Sequence, residues 1–182
     1  MRKIIGISGE PGTGKTTLMW KFIDEYNWIN TEPMKSLPCL YNEEMDLYVM
    51  GKYEKGETFA GTDRYSMSIQ PTAVEFIKKT SSNVIFEGDR LTNMKFYDFL
   101  LTLPETEIKF LVIQANKNTL KERYDIRGSN QSETFLKGRQ TKISNILGNF
   151  EYMDHTETFN NENFQHQSVI IDRVKNILNI DD

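Results

Sequence analysis

Gly9-Glu10-Pro11-Gly12-Thr13-Gly14-Lys15-Thr16 matches the pattern G-x-x-x-x-G-K-[ST], a Walker A phosphate-binding loop, and it decides the fold. Its flanks suit the motif. Before it, Lys3-Ile4-Ile5-Gly6-Ile7-Ser8 is a short apolar run that reads as a buried strand. After it, Leu18, Met19, Phe22, Ile23 and Tyr26 recur at helical spacing. The glycines let backbone amides approach a phosphate closely, and those amides with the helix N-terminus form an anion nest. The expected nucleotide contacts are Gly9, Gly12, Thr13, Gly14, Lys15, Thr16 and Thr17. Lys15 is expected to reach the β- and γ-phosphates, and the Thr16 hydroxyl to ligate Mg²⁺. A dinucleotide-binding reading fails, because a third small residue is wanted where Thr17 stands and Lys15 would have no role.

Working outward, apolar strands alternate with helical patterns: strands over 2–8, 84–87 and 108–113, helices after 71, over 93–103, 117–127 and from Ser132 to about Phe150, and a last helix around Ile170–Leu178. Residues 38–41 and 45–50 read as a hairpin, residues 27–36 as irregular, and 155–160 as a short edge strand. The expectation is an α/β three-layer sandwich, a mostly parallel sheet with helices on both faces. At 182 residues, one domain over 1–182 is expected. Twenty-two Lys and Arg against 26 Asp and Glu make the chain acidic, which argues against a general polyanion binder. Cys39 is the sole cysteine, so neither an internal disulfide nor a cysteine metal framework can form. The start resembles no signal peptide, and no apolar run approaches a membrane span; the expectation is a soluble cytoplasmic protein with no membrane partner.

Two further segments carry chemistry. Val84-Ile85-Phe86-Glu87-Gly88-Asp89-Arg90 is a buried strand that delivers acids to its C-terminal tip, where Glu87 or Asp89 can organise Mg²⁺. Asp63 and Arg64 lie at the end of a long polar loop, and Asp63 or Asp89 is expected to position an acceptor hydroxyl. Arg64 and Arg90 are open between phosphate binding and structural pairing. Residues 117–142 hold seven cations and three acids, a local excess of four in an acidic chain. Arg123 and Arg127 share a helix face, a Gly-Ser-Asn-Gln break follows, and Arg139 comes after it.

With these residues assembled, the chain resembles the P-loop kinase superfamily, in its branch of nucleotide, nucleoside and small-metabolite kinases. The resemblance implies ATP and Mg²⁺, an arginine-bearing lid over 123–142, and an acceptor region near 37–66. In it Arg123, Arg127 and Arg139 would balance charge on the transferred phosphoryl group. Glu32 before Pro33 is similar to an acid of deoxynucleoside kinases. Gly61–Ser66, Phe86–Arg90 and Phe135–Arg139 resemble small bacteriophage P-loop proteins similar to 5-hydroxymethyldeoxyuridine DNA kinases, which implies a nucleoside, nucleotide or modified-DNA acceptor. Asn116-Lys117-Asn118 lacks the Asp of a guanine motif, so GTP specificity is not expected. The competing reading is an ATPase or switch module without an acceptor, and a third is a non-catalytic nucleotide-binding domain. Oligomeric state is left open.

Overall fold

The computed structural model describes every residue except Thr58, Ser129, Asn130, Asp181 and Asp182, and leaves aside the Arg127 side chain. In chain order the elements are β1 (Arg2–Gly9), α1 (Lys15–Asp24), β2 (Ile29–Thr31), β3 (Cys39–Asn42), β4 (Leu47–Met50), α2 (Gln70–Lys79), β5 (Asn83–Glu87), α3 (Met94–Leu101), β6 (Thr106–Gln114), α4 (Lys117–Arg127), α5 (Glu133–Leu147), β7 (Thr156–Asn160) and α6 (Phe164–Leu178). The seven-stranded sheet has the order β2-β3-β4-β5-β1-β6-β7. The five strands from β4 to β7 run parallel; β3 pairs antiparallel with β4, and β2 pairs antiparallel with β3 at the edge. The expected three-layer, mostly parallel sandwich is therefore the observed one.

β1 lies at the middle of the five parallel strands, and both its faces are apolar. Ile4 faces a core with Phe76 and Ile77 of α2, Phe96, Tyr97 and Leu100 of α3, and Ile143 and Ile146 of α5. Ile5 and Ile7 face the opposite core, with Leu18 and Phe22 of α1 and Ile170, Val174 and Ile177 of α6. A strand covered on both sides shows an unbroken apolar run instead of alternation, as read from the sequence. Phe110 of β6 anchors the first core. It is fully buried, stacks on Tyr97 at 3.8 Å between centroids, and meets the Tyr152 ring edge-on at 5.7 Å. Replacing Phe110 by Ala is expected to destabilise the protein by about 3–5 kcal/mol. Urea unfolding at constant m-value checks this, and a loss below about 1 kcal/mol would mean the core closes over the cavity.

Two details differ from the sequence reading, at residues 29–31 and at the end of α5, while the expected hairpin is observed. Residues 29–31, expected to be irregular, form edge strand β2 against β3. Backbone pairing captures this short segment, whose side chains are too exposed to show a pattern. The hairpin of β3 and β4 joins the main sheet through the β4–β5 ladder. Helix α5 stops at Leu147, and Phe150–His155 form a 3₁₀ turn. Among the described residues no helix is long and apolar enough to cross a membrane.

Register positions the site. Ile7 pairs with Glu87, so the carboxyl ends of β1 and β5 deliver the glycine loop and an acid side by side. This is the switch point of the sheet, with β5 and β6 on opposite sides of β1, where open α/β sheets place ligands.

Candidate active site

Of the six helices among the described residues, two, α1 and α2, start without a side-chain cap, and of these only α1 starts from a glycine in the left-handed region. Helices α3, α4, α5 and α6 begin with side-chain caps from Asn93, Asn116, Ser132 and Asn163. Helix α1 begins at Gly14, in the left-handed region at φ 88°, with no side-chain cap. Its first amides are thus left for an external anion. Gly9 and Gly12 also have positive φ, 152° and 80°. At Gly14 a Cβ would sit 2.5 Å from Asn161 Nδ2, so the loop and its neighbour pack too closely for any side chain there.

The loop is braced from outside. Asn161, fully buried just past β7, donates from Nδ2 to Thr13 O at 2.7 Å. Arg123 of α4 donates to Gly12 O at 2.9 Å and Asn161 O at 2.8 Å, and Tyr124 donates to Pro11 O at 2.6 Å. The Thr13 hydroxyl donates to Glu10 O at 2.8 Å. Lys15 Nζ folds over the loop, donating to Gly9 O at 2.8 Å and Glu10 O at 3.0 Å. Thr17 is exposed on the first turn of α1.

Glu87 is the acid that faces this loop. It is 1% exposed, and its Oε1 accepts from Thr16 Oγ1 at 3.1 Å and Tyr53 OH at 3.4 Å. Burial pushes its carboxyl up to about 7; Lys15 opposes that rise and Asp63 adds to it. Tyr53 is itself braced by the edge-on ring of Trp20 at 5.5 Å.

Asp63 and Asp89 meet through tertiary contacts. The polar loop after β4 closes on itself between Lys52 and Gly61. Thr62 Oγ1 then donates to Glu87 O at 2.8 Å, and the Asp89 amide donates to Asp63 Oδ1 at 2.7 Å. Gly61, at φ 69°, passes so close that a Cβ would lie 2.5 Å from Glu87 Oε1. The Asp89 carboxylate pairs with Arg139 at 2.6 Å and Lys142 at 2.8 Å, both from α5. A cleft of about 710 Å³ opens between these groups, running from Lys15 past Asp63 and Asp89 to Arg90, Arg139 and Lys142.

The family model described as P-loop nucleotide kinase 3 matches residues 1–161. The chain belongs to that family. It is accordingly an ATP-dependent phosphotransferase. No curated protein matches it significantly by sequence. A gluconokinase from Sinorhizobium meliloti is similar in fold, with 14% identity, 98% of each chain covered and a TM-score of 0.52. An uncharacterised protein from Eubacterium ventriosum has 17% identity over 98% of this chain and 99% of its own, with a TM-score of 0.50. An unliganded sugar kinase from Janibacter sp. has 15% identity over 99% and 95%, with a TM-score of 0.47. At such identities the likeness is one of fold.

In this kinase, Lys15, Thr16 and Glu87 stand together, and Asp63 and Asp89 share one cleft with Arg139. Arg123 stands apart: its guanidinium braces the outside of the loop through Gly12 and Asn161. The Arg127 side chain, with Ser129 and Asn130 of the break, lies outside the described residues. Arg90 lines the cleft and donates to Tyr65 O at 3.3 Å, whereas Arg64, paired with Glu54 at 3.2 Å within its own loop, and Glu32, which accepts from the Ser36 amide at 2.6 Å, are not among its lining residues. Tyr53, Asn161 and Tyr124 were not singled out from sequence. A lone Tyr in a polar loop and an Asn after an edge strand carry no local signal; their roles come from residues more than thirty positions away.

Proposed function

We propose that this kinase transfers the γ-phosphoryl group of ATP to a hydroxyl on a nucleic-acid-derived acceptor: a nucleoside, a nucleotide, or a 5-hydroxymethyl pyrimidine in DNA. One observation carries the reading. The cleft that starts at Lys15 is deep enough for a second substrate and is lined by acids and cations suited to a hydroxyl and a phosphate. A pure ATPase would need no such space beside its phosphate loop.

Each group has a role within one domain, with 37–66 contributing the acceptor side and 123–142 the lid. The loop amides and Lys15 hold the triphosphate tail. Thr16 Oγ1 and Glu87 Oε1, 3.1 Å apart, are hard oxygen donors suited to Mg²⁺. Such an ion would supply charge neutralisation on the phosphates. Asp63, oriented by the Asp89 amide, positions the acceptor hydroxyl. Asp89 holds Arg139 and Lys142 at the cleft, where they balance charge on the moving phosphoryl group. In a loose transition state little proton abstraction is needed, so positioning is the main task of Asp63.

The test is incubation with γ-labelled ATP and separate pools of nucleosides, nucleotides, plain DNA and hydroxymethylated DNA. Label in one of these pools supports the reading, and label only in free phosphate sinks it. Asp63→Asn is expected to lower kcat about 100-fold while ATP affinity stays within twofold. Equal losses in both would place Asp63 in nucleotide binding instead.

A further inference from the structure

The cleft has a floor and a wall of different chemistry, and their Ser8, Thr92, Phe59 and Phe135 have no part in the phosphoryl transfer described above. Ser8, at the end of β1, reaches the floor. It is 1% exposed, and its Oγ has no hydrogen-bond partner among the described residues. Thr92 also lines the cleft; its hydroxyl donates to Gly88 O at 2.8 Å, which leaves its lone pairs able to accept. The Tyr97 phenol, fully buried, lies near both hydroxyls and interacts with them, but neither contact reaches full hydrogen-bond geometry among the described residues. Buried polar atoms in native proteins are almost always paired, so an orphan hydroxyl at the base of an open cleft points to a ligand atom.

The wall is aromatic. Phe59 is 62% exposed and Phe135 39%, and both line this cleft. Large apolar rings left in water at a cleft mouth suit the face of another ring. The Arg139 guanidinium lies over the Phe135 ring at 4.6 Å and extends the flat surface on that side. A polyol would find few partners on such a wall. A flat ring with a polar edge matches both parts at once.

We infer that Ser8 and Phe59 determine acceptor specificity, and that the cleft takes a planar heteroaromatic ring edge-first, its polar edge on the Ser8 and Thr92 hydroxyls and its face against Phe59. The inference rests on the reading of this cleft as the acceptor site. A hydroxyl both donates and accepts, so Ser8 can serve a carbonyl or an N–H edge.

Three variants test it, with steady-state kinetics on whichever nucleoside, nucleotide or hydroxymethylated oligonucleotide accepts label. Phe59→Leu keeps apolar bulk and removes the ring; it is expected to raise acceptor KM about 5- to 100-fold with kcat and ATP KM within twofold. Ser8→Ala is expected to raise acceptor KM about fivefold. Phe59→Tyr, which restores a ring, is expected to return KM to near the parent value. If a heteroaromatic acceptor is labelled but Phe59→Leu and Ser8→Ala leave its KM unchanged, the inference falls and the proposed function stands. If no heteroaromatic acceptor is labelled, both fall together. Circular dichroism and ATP calorimetry on each variant verify that the fold and nucleotide site are intact.

Discussion

Lys15→Ala is expected to lower kcat for phosphoryl transfer by about 1000-fold or more, with circular dichroism unchanged. The magnitude follows from removing a preorganised cation aimed at charge that develops in the transition state. Lys15 is already held in place: its ammonium lies 2.8 and 3.0 Å from the Gly9 and Glu10 carbonyls, above the uncapped start of α1. No other described cation lies so close to the loop from the cleft side; Arg123 grips it from behind, and Arg139 and Lys142 are drawn to Asp89. A variant that keeps turnover within tenfold of the parent would show that the phosphate site lies elsewhere. Lys15→Arg is expected to rescue poorly, because a planar fork cannot replace a compact point charge in this position.

Glu87→Gln is expected to abolish activity and, in metal-free buffer, to stabilise the protein at high pH. Burial raises the folded-state carboxyl from 4.5 to about 7, while the unfolded group titrates near its ordinary value. The folded state therefore favours the protonated acid. The stability this contributes is complete below about pH 4.5 and is lost as pH rises through about 7. The full window corresponds to about 3 kcal/mol, since each unit is worth about 1.4 kcal/mol. Gln has the same shape and never ionises, so Glu87→Gln removes the loss. Urea unfolding in a chelator at pH 5 and pH 8 checks this: parent stability should drop by about 2–3 kcal/mol more than that of the variant. Parallel behaviour of the two proteins would mean that Glu87 is ionised at no cost. The same substitution leaves Thr16 without its carboxylate partner, so an active Glu87→Gln enzyme would contradict the metal role assigned to this pair.

The two effects share a cause. Both residues sit where β1 and β5 end side by side, and both are held by groups remote in sequence. Tyr53 illustrates the point: it reaches Glu87 from 34 positions away only because the loop after β4 is pinned by the Lys52–Gly61 bridge. An unpaired carboxyl at this depth would be costly, and the two hydroxyls from Thr16 and Tyr53 offset part of that cost.

Much of the molecule was legible from residue order. The glycine loop, the strand that feeds it and the helix that leaves it are contiguous, so local backbone chemistry specifies them without help from the rest of the chain. The central strands were legible because burial on both faces leaves an unbroken apolar signature. Glu87 was legible as an acid at a strand tip. Which of it and Asp89 faces the loop was not, since that depends on the Ile7–Glu87 register and on Arg139 and Lys142 arriving from α5 to pair with Asp89. The arginines were legible as a cluster of charge but not as separate roles. Arg123 and Arg139 are alike in composition and local spacing, and only packing sends one to the back of the loop and the other into the cleft.

By itself the sequence determined the parallel α/β frame, the phosphate loop with Lys15 and Thr16, and an acid delivered beside it, because each is written in neighbouring residues and their periodicity. Tertiary structure alone decided which carboxylate faces the loop, which cations face the cleft, and that Ser8 lies orphaned at its floor. Those outcomes depend on strand register and on loops closing across tens of residues, and no local pattern records where such a loop will land.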